Sequence, residues 1–371
     1  ASIHALIDSD ESLPATCSLL IPNQVSLRYS LSKFEATKVA ISAGVTVPKT
    51  VFIDDFKNYT KYQKDIEDLR YPFIIKADNV SSGNGLYLKG SIAKVSNYAE
   101  FTAILDEFST THERLIAQET IPGYGVGAFL LMNKGRALMK FAHQRIREVP
   151  WSGGWSSFRK SMNDQKLIAR SEDFLKYIGC DGLAMIEYRR NPVDGKDYFL
   201  EINGRLWGSI ALPLQCGFDF PNKFVECKVL GIDSPYEKIT PIRKCSVFFP
   251  GEASHLISIL KSSSPDKPSL FTSTLSILST FFNPMVKHDF FWWRDPAPAF
   301  VQSLKIITGI RKIFQLTTEK LRRVFRKIFG RKRRRVTEPD PLKSSLGTTA
   351  KKLLFVCKGN ICRSPFAAMY F

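Results

Sequence analysis

The sequence predicts an α+β fold in which antiparallel hairpins alternate with helices. Apolar, β-rich runs flank turn residues at 133–135 and, further along, a cluster of proline, aspartate and glycine at 192–195. Apolar residues at helical spacing predict a helix around 33–43, and further helices are expected around 96–108 and 161–178. The hydrophobic fraction of 44% is ordinary for a globular protein and is sufficient for a core. We therefore expect antiparallel sheets with helices packed on them.

The first helical stretch places a lysine at its start. Residues 1–30 contain short apolar runs broken by prolines and show no recognisable chemistry. Phe34 and Val39 then recur at helical spacing until Gly44 stops the helix. Lys33 lies at the N-terminus of this helix, where a cation gains nothing from the helix dipole. Its side chain is either directed at a ligand or an ordinary solvated lysine.

A second lysine lies in an apolar strand that precedes a loop rich in serine and glycine. The strand 73–76 ends in Lys76, whose ammonium group must reach a counter-charge or extend to the surface. The loop that follows, Ser81 to Gly85, offers backbone amides to phosphate oxygens. Glycine and asparagine are also what a hairpin turn requires, and a return strand is expected at 86–89.

Two arginines and an aromatic loop follow the next group of strands. Those strands are expected at 115–118, 126–132 and 137–143. Arg145 and Arg147 come directly after them and either clamp a substrate carboxylate or are structural surface arginines. The loop at 150–158 holds two tryptophans and two glycines, which is too apolar for a passive linker. We expect it to be a flap that faces the substrate.

The hairpin around the second turn cluster carries two acids and an amide. Glu201 and Asn203 share one face of their strand because side chains alternate along a strand. Glu187 lies opposite Glu201 only if the turn is centred on Asp194, which requires an odd-length loop, for example one ending in Gly195 at positive φ. Two carboxylates and an amide oxygen suit Mg²⁺ bound together with substrate phosphates. The alternative is a surface hairpin with solvated acids.

The order of these features along the chain resembles the ATP-grasp superfamily, in particular its carbamoyl-phosphate-synthase-like carboxylate–amine ligases. The resemblance covers roughly 31–231 and rests on the two lysines, the glycine loop, the strand ending in Gln118-Glu119, and the Glu-x-Asn-x-Arg signature at 201–205 with an acid one strand earlier. It implies two α+β subdomains that clamp ATP between antiparallel sheets. Residues 1–30 would be the end of a truncated N-terminal region.

The resemblance also implies a role for individual residues. Lys33 and Lys76 would contact the nucleotide phosphates, and Arg205 would stabilise the transferring phosphoryl group. The other residues with implied roles are Ser81, Ser82, Gly83, Asn84 and Gly85 as a mobile flap over the phosphates, Gln118, Glu119 and Ile121 at the adenine, and Glu187, Glu201 and Asn203 as ligands of Mg²⁺ or Mn²⁺. Two positions depart from the family's pattern: Gly204 replaces the usual proline, which would loosen the strand exit, and Ser32 replaces an aspartate.

The activity implied by the resemblance is that of an ATP- and Mg²⁺-dependent ligase. It would activate a small-molecule carboxylate as an acylphosphate for attack by an amine or a thiol. The alternative is a non-catalytic ATP-binding or membrane-recruited regulatory module of a protein tyrosine phosphatase fusion.

The charge of +18 is concentrated beyond this region, in a basic segment at 299–335. It contains 13 Lys and Arg and one acid, with apolar residues at steps of three and four, which predicts a basic amphipathic helix. We expect it to lie on an anionic membrane surface or an acidic partner, or else to pack on the ligase with its basic face solvated. Nucleic acid is not favoured. The extension before it, 232–298, includes an uncharged run, 269–286, whose polar residues disfavour a membrane span.

A linker at 336–350 leads to a second motif at 351–371. Cys357 and Arg363 stand six positions apart, which resembles the opening of a low-molecular-weight protein tyrosine phosphatase. The resemblance implies that Cys357 is the thiolate nucleophile, that Arg363 binds phosphate, and that Cys362 is a redox partner. The family's general-acid aspartate would lie beyond these residues, so we expect no phosphatase activity from this chain.

Seven scattered cysteines and the lack of a signal-peptide pattern predict a reducing, cytoplasmic location, peripheral at the membrane through the basic segment. The chain starts with Ala1 and ends within a predicted helix, so we expect it to be a fragment of a longer protein.

Overall fold

The computed structural model describes residues 20–56, 58–78, 80–81, 87–88, 90–236, 244–291 and 296–297. The strands are β1 (Thr50–Ile53), β2 (Phe73–Ala77), β3 (Val80–Ser81), β4 (Tyr87–Leu88), β5 (Ile92–Val95), β6 (Leu115–Glu119), β7 (Tyr124–Asn133), β8 (Arg136–Val149), β9 (Trp155–Met162), β10 (Gly182–Arg190), β11 (Asp197–Asn203), β12 (Cys245–Val247) and β13 (Val286–His288). The α-helices are α1 (Gln24–Leu31), α2 (Lys33–Ser42), α3 (Gln63–Glu67), α4 (Tyr98–Ser109), α5 (Gln165–Tyr177), α6 (Ala211–Gln215), α7 (Phe220–Val229), α8 (Phe249–Lys261) and α9 (Leu270–Phe282).

A smaller, antiparallel sheet has the strand order β1-β6-β2-β5. Its buried side chains alternate along the strands, as in Phe73 and Ile75 of β2, and pack against Phe101 and Leu105 of α4. Lys76 is the polar exception on β2. One face of the sheet therefore packs on α4, and Lys76 lies on the opposite face, near the end of β2.

A larger, seven-stranded sheet has the order β11-β10-β7-β8-β9-β12-β13. Its β7–β8 hairpin turns at Lys134 and Gly135, with φ of 49° and 77°, which confirms the turn predicted at 133–135. Helix α5 packs on one face through Leu167 and Phe174. The segment around Trp207 packs in a second apolar cluster with β7, β8 and β10. The predicted antiparallel α+β architecture is thus confirmed.

The extension after residue 231 adds two strands to this larger sheet. β12 pairs antiparallel with β9, and β13 pairs parallel with β12. Helices α8 and α9 lie between these strands in sequence, and α8 contacts β8 and β9. The uncharged run at 269–286 is occupied mainly by α9, and no helix in the part of the chain that the structure describes is long and apolar enough to cross a membrane.

Some strand, loop and helix boundaries predicted from the sequence are wrong. β8 continues to Val149, so Arg145 and Arg147 lie within a strand. β9 begins at Trp155 and runs to Met162, which shortens the predicted 150–158 loop and delays the start of the helix to Gln165. Trp155, predicted to lie in that flap, begins β9 and packs edge-on against Phe248.

Several predicted features lie outside the described residues. They are residues 82–85 of the phosphate flap, the basic segment at 299–335, the linker at 336–350, and the phosphatase-like motif with Cys357, Cys362 and Arg363.

A carboxylate–amide site between the two sheets

The β10–β11 hairpin brings the two predicted acids together. Glu187 lies directly opposite Glu201, which confirms the predicted register. The predicted odd-length turn is wrong, because the loop runs from 191 to 196, an even number of residues. A bulge corrects the register: Tyr188 faces Phe199, so Leu200 is left over between two paired positions. Gly195 has the expected positive φ, 68°.

Asn203 connects the two carboxylates. Its amide Nδ2 donates to Glu187 Oε1 at 3.1 Å and to Glu201 Oε1 at 2.9 Å. Its Oδ1 accepts from Arg205 Nη2 at 2.7 Å. The four side chains of the Glu-x-Asn-x-Arg signature and its earlier acid therefore form one cluster, as the sequence predicts.

Lysines from two elements face this cluster. The ammonium group of Lys33, at the start of α2, lies 3.4 Å from Glu201 Oε2. Lys76 is buried on β2 of the smaller sheet, and its Nζ donates to Gln118 Oε1 at 2.6 Å. Glu201 and Glu187 also act on the charge of Lys76. The site thus lies where the smaller sheet meets the larger one.

Arg145 approaches the acids from β8, across the intervening strand β7. Its Nη2 forms an ion pair with Glu187, and its Nη1 donates to the carbonyl of Gly154 at 2.6 Å. Gly125 of β7 makes this crossing feasible, because a Cβ atom there would lie 2.6 Å from Arg145 Cδ. Of the two alternatives for Arg145, the structure favours a place in the site.

Burial and charge set opposite pKa shifts in the two acids. Burial acts to raise the pKa of Glu201, but Lys33, the Asn203 amide, Lys76 and Arg205 together lower it to about 2. Burial raises the pKa of Glu187, with a further contribution from Glu201 and with Arg145 opposing it. Burial, and secondarily the charge of Lys33, lowers the pKa of Lys76 to about 8, although Glu201 opposes this.

The residues predicted at the adenine have other contacts of their own. Gln118 is buried between Lys76 and Thr50. The Nε2 of Gln118 donates to Thr50 Oγ1 at 3.0 Å. The backbone N–H of Glu119 donates to the carbonyl of Lys49 at 2.9 Å. The carbonyl of Ile121 accepts from Arg189 Nε at 3.4 Å. Gln118 therefore positions Lys76, and the adenine role of all three remains a prediction.

Lys33 is held in place through its backbone. Its N–H donates to Asp78 Oδ1 at 2.6 Å, and the N–H of Phe34 donates to the same oxygen at 3.2 Å. Ser32 caps α2 by accepting from the N–H of Glu35 at 3.0 Å, and its hydroxyl also bonds Asp78. Asp78 follows β2 and is buried. Asp78 is not predicted from the sequence, where its only signal is its position two residues after Lys76.

Arg147, unlike Arg145, contacts helices α8 and α9 of the C-terminal extension. Its Nε donates to Glu252 Oε2 at 2.6 Å, its Nη1 to Ser276 Oγ at 3.0 Å, and its Nη2 to Thr280 Oγ1 at 2.9 Å. Its guanidinium also stacks on Phe158, with 4.4 Å to the ring centroid. Arg147 therefore holds the C-terminal extension to β8, and the structural alternative is the one that the contacts support.

His143 is a second residue that the sequence analysis missed. It lies beside Gly127, which itself faces Glu187 across β10 and β7. Burial, with the charges of Arg145 and Arg159, lowers its pKa well below the usual value, so the ring is neutral. Its alternation with Arg145 along β8 is the signal that would have placed it near the acids.

A steric contact that the sequence does not reveal explains why residue 204 is glycine. A Cβ atom there would collide with the hydroxyl of Ser30 in α1. Close approach of α1 to the strand exit, instead of a loosened exit, thus accounts for glycine at this position.

The donor set fits a hard divalent cation. Glu187, Glu201 and Asn203 supply carboxylate and amide oxygens, and the raised pKa of Glu187 beside ionised Glu201 is the situation that a bound cation relieves. Among the described residues no group of three or more His, Cys, Asp and Glu could hold a metal ion. A cation here would therefore take few protein ligands, as Mg²⁺ does when phosphates complete its shell. Rotation of the Asn203 amide would bring its oxygen to the acids and release Arg205.

Comparison with known proteins agrees with this geometry. Residues 31–209 match the family model described as an ATP-grasp domain. The D-alanine–D-alanine ligase of Wolbachia sp. subsp. Drosophila simulans (strain wRi) is 24% identical over 193 residues, which cover 48% of this chain and 59% of that enzyme. The phosphoribosylamine–glycine ligase of Archaeoglobus fulgidus is 24% identical over 136 residues, 37% of this chain and 27% of that enzyme.

Among solved structures, the biotin carboxylase of Campylobacter jejuni superimposes with a TM-score of 0.51 at 14% identity, covering 65% of this chain and 55% of that one. This likeness concerns the fold alone. The two sheets have the ATP-grasp fold, and the chain spans about 59% of the length of the D-alanine–D-alanine ligase that it matches.

Proposed function

We propose that residues 31–231 catalyse ATP- and Mg²⁺-dependent ligation of a small-molecule carboxylate to an amine or a thiol. The observation that carries the proposal is the convergence of Glu187, Glu201 and Asn203 with Lys33 and Lys76, the last from the opposite sheet. The two curated relatives named above are ligases whose names specify D-alanine or glycine, which supports an amino acid or a similar small carboxylate as one substrate.

The reaction that these residues suit proceeds in two transfers. A carboxylate oxygen attacks the γ-phosphorus of ATP, and ADP leaves. The amine then attacks the acyl carbon of the resulting acylphosphate, phosphate leaves, and the nitrogen loses a proton. Neither transfer needs a protein nucleophile, so the protein's contribution is positioning and neutralisation of charge.

Each side chain of the site has a distinct part in this proposal. Glu187, Glu201 and Asn203 would hold Mg²⁺, which supplies charge neutralisation on the phosphates when it is bound. Lys33 and Lys76 would bind phosphate oxygens, with Gln118 orienting the Lys76 ammonium. Arg205 would turn from Asn203 to the transferring phosphoryl group. Arg145 would exchange Glu187 for an anionic substrate.

The test is ADP release from ATP and Mg²⁺ with a panel of amino acids, other carboxylates and amines. Wild type is compared with Glu201→Ala and with Glu107→Ala, which removes an exposed acid on α4. We expect turnover with at least one pair of substrates, retained by Glu107→Ala and lost by Glu201→Ala. Equal background rates in wild type and Glu201→Ala would refute the proposal.

Binding of a fluorescent ATP analogue separates this function from the alternative. Tight binding by wild type without ADP release from any substrate pair would favour a non-catalytic ATP-binding module. The phosphatase-like motif at Cys357 and Arg363 remains a prediction outside the described residues, and the ligase proposal does not depend on it.

A further inference from the structure

Helix α9 exposes a row of apolar side chains to solvent, whereas an ordinary amphipathic helix buries such a row. Phe271, Leu275, Leu278 and Phe282 follow one another at steps of four, three and four residues, so they share one face. Their exposed fractions are 71%, 50%, 47% and 75%. We call these four residues the apolar face. A globular helix normally buries such a stripe, so this exposure requires an explanation.

The opposite side of α9 is occupied by polar contacts. Ser276 and Thr280 accept from the guanidinium of Arg147, and Thr280 is buried. This geometry fixes the rotation of the helix, because turning it to bury the apolar face would break both hydrogen bonds to a buried cation. The hydrogen bonds to Arg147 therefore keep the apolar face of α9 exposed.

Helix α8 repeats the arrangement. Glu252 and His255 are buried, whereas Ile257 and Leu260 are 51% and 65% exposed. His255 Nδ1 bonds the carbonyl of Glu148 at 2.7 Å, which anchors the polar side of α8 to β8. The two helices also meet through aromatic side chains, with the Phe249 and Phe281 rings 5.3 Å apart.

The charges beside these helices have one predominant sign. Between 249 and 288 the exposed charged side chains are Lys261, Asp266, Lys267 and Lys287. The chain then continues into the segment 299–335, with 13 Lys and Arg and one acid. A second copy of this chain would bring the same positive charges opposite one another, which disfavours self-association.

From these observations we infer that α9 docks on an anionic membrane surface through the apolar face. Binding of an interfacial helix strengthens with the apolar area that it buries and with electrostatic attraction to anionic lipids, and the chain supplies an apolar face followed by a basic segment. α9 has 13 residues and spans about 20 Å, less than the ~30 Å of a bilayer core, so it would lie in the interface. This inference does not depend on the ligase activity.

The experiment is sedimentation of the full chain with vesicles of phosphatidylcholine, with or without phosphatidylglycerol. The test variant is Leu275→Ser, Leu278→Ser and Phe282→Ser. The control variant is Tyr177→Ser, Val193→Ser and Leu230→Ser, three exposed apolar residues elsewhere on the surface. We expect wild type and control to bind the anionic vesicles, and the test variant to bind at least about tenfold more weakly.

A fluorescence measurement makes the result specific to α9. Phe282→Trp should show a blue shift on anionic vesicles, and Val193→Trp should show none. Matching urea unfolding midpoints would establish that the serine variants are folded.

Three results would overturn the inference. The first is equal vesicle binding by wild type and the test variant. The second is loss of binding only when Arg331–Arg335 are neutralised, with no shift of the tryptophan at 282. The third is a concentration-dependent dimer in sedimentation velocity that the test variant abolishes, with vesicles ignored.

Discussion

Two arginines on strand β8 compare directly, because both are buried and both pair with a glutamate. Arg145 and Arg147 are each 8% exposed. Arg145 pairs with Glu187 in the site between the sheets, and Arg147 pairs with Glu252 of the extension. The pairing of β8 with β9 is irregular between them, so side chains two positions apart reach different parts of the molecule.

The difference lies in what surrounds each pair. All three donor nitrogens of Arg147 donate to acceptors in α8 and α9, which makes a closed structural contact. Glu187 instead shares Asn203 with Glu201, and Lys33 adds a cation to Glu201. An ion pair that is linked to several other charged groups, and not only to hydroxyl groups, can exchange one of them for a charged ligand. Burial of an arginine therefore does not identify a site, whereas shared partners do.

The largest effect that we expect is on stability, from Glu252→Gln. The substitution leaves the buried guanidinium of Arg147 without a counter-charge, which should lower the free energy of unfolding by about 3 to 5 kcal/mol. Urea unfolding measures it. The rate of ADP release per folded molecule should stay unchanged, and a stability loss below about 1 kcal/mol would show that the pair is dispensable.

The same substitution in the other pair, Glu187→Gln, should have the opposite effect. We expect turnover to fall by about 100-fold, because the site loses a carboxylate for the cation. Stability should fall less than in Glu252→Gln, because Arg145 keeps a second carboxylate, Glu148, whose Oε1 lies 3.4 Å from its Nη1. Stopped-time assays of ADP release measure turnover, and urea unfolding measures the free energy of unfolding. Normal turnover together with a large stability loss would assign Glu187 to the structural class.

A pH dependence should distinguish the site from the closed contact. The pKa of Lys76 is lowered by burial to about 8, so its charge is present below that pH and lost above it. Affinity of the free protein for ATP should then fall by up to about tenfold per pH unit above 8. Titration calorimetry from pH 7 to 10, read against Lys76→Arg, tests this, because a guanidinium keeps its charge. An affinity of wild type for ATP that does not change with pH would show that Lys76 does not bind the phosphates.

The smallest expected effect comes from Gly125→Ala. The added Cβ would lie 2.6 Å from Arg145 Cδ, which should push the guanidinium away from Glu187 and lower turnover about threefold to tenfold. Glu107→Ala, which removes an exposed acid on α4, is the control. Steady-state rates of both variants decide whether Arg145 acts in the site. Equal rates in Gly125→Ala and the control would show that it does not.

Local patterns predicted the parts of the site that lie close together in the sequence. Alternation along a strand is enough to place Glu201 and Asn203 on one face. The register with Glu187 was correct, yet it arises from a bulge at Leu200 that no residue type announces. The predicted turn was wrong for this reason, because a bulge depends on tertiary packing and not on the turn sequence.

Local patterns could not predict contacts between residues that are distant in the sequence. Arg147 and Glu252 are 105 residues apart, and Lys76 and Gln118 are 42 apart. Nothing local marks Glu252 as the partner of an arginine on β8, so the sequence left Arg147 undecided between substrate and surface. The strands of the extension are three residues long, too short for alternation to reveal them.

The double attachment of Lys33 gives the molecule a natural reporter. Its backbone amide donates to Asp78, at the end of β2 in the smaller sheet, while its ammonium group faces Glu201 on β11 of the larger one. Because α2 packs on the larger sheet through Ala36 and Ala40, opening of the angle between the sheets would lengthen the contact to Asp78. Hydrogen–deuterium exchange at the amides of Lys33 and Phe34 would accordingly follow opening and closing of the cleft in the native protein, without a label at the site itself.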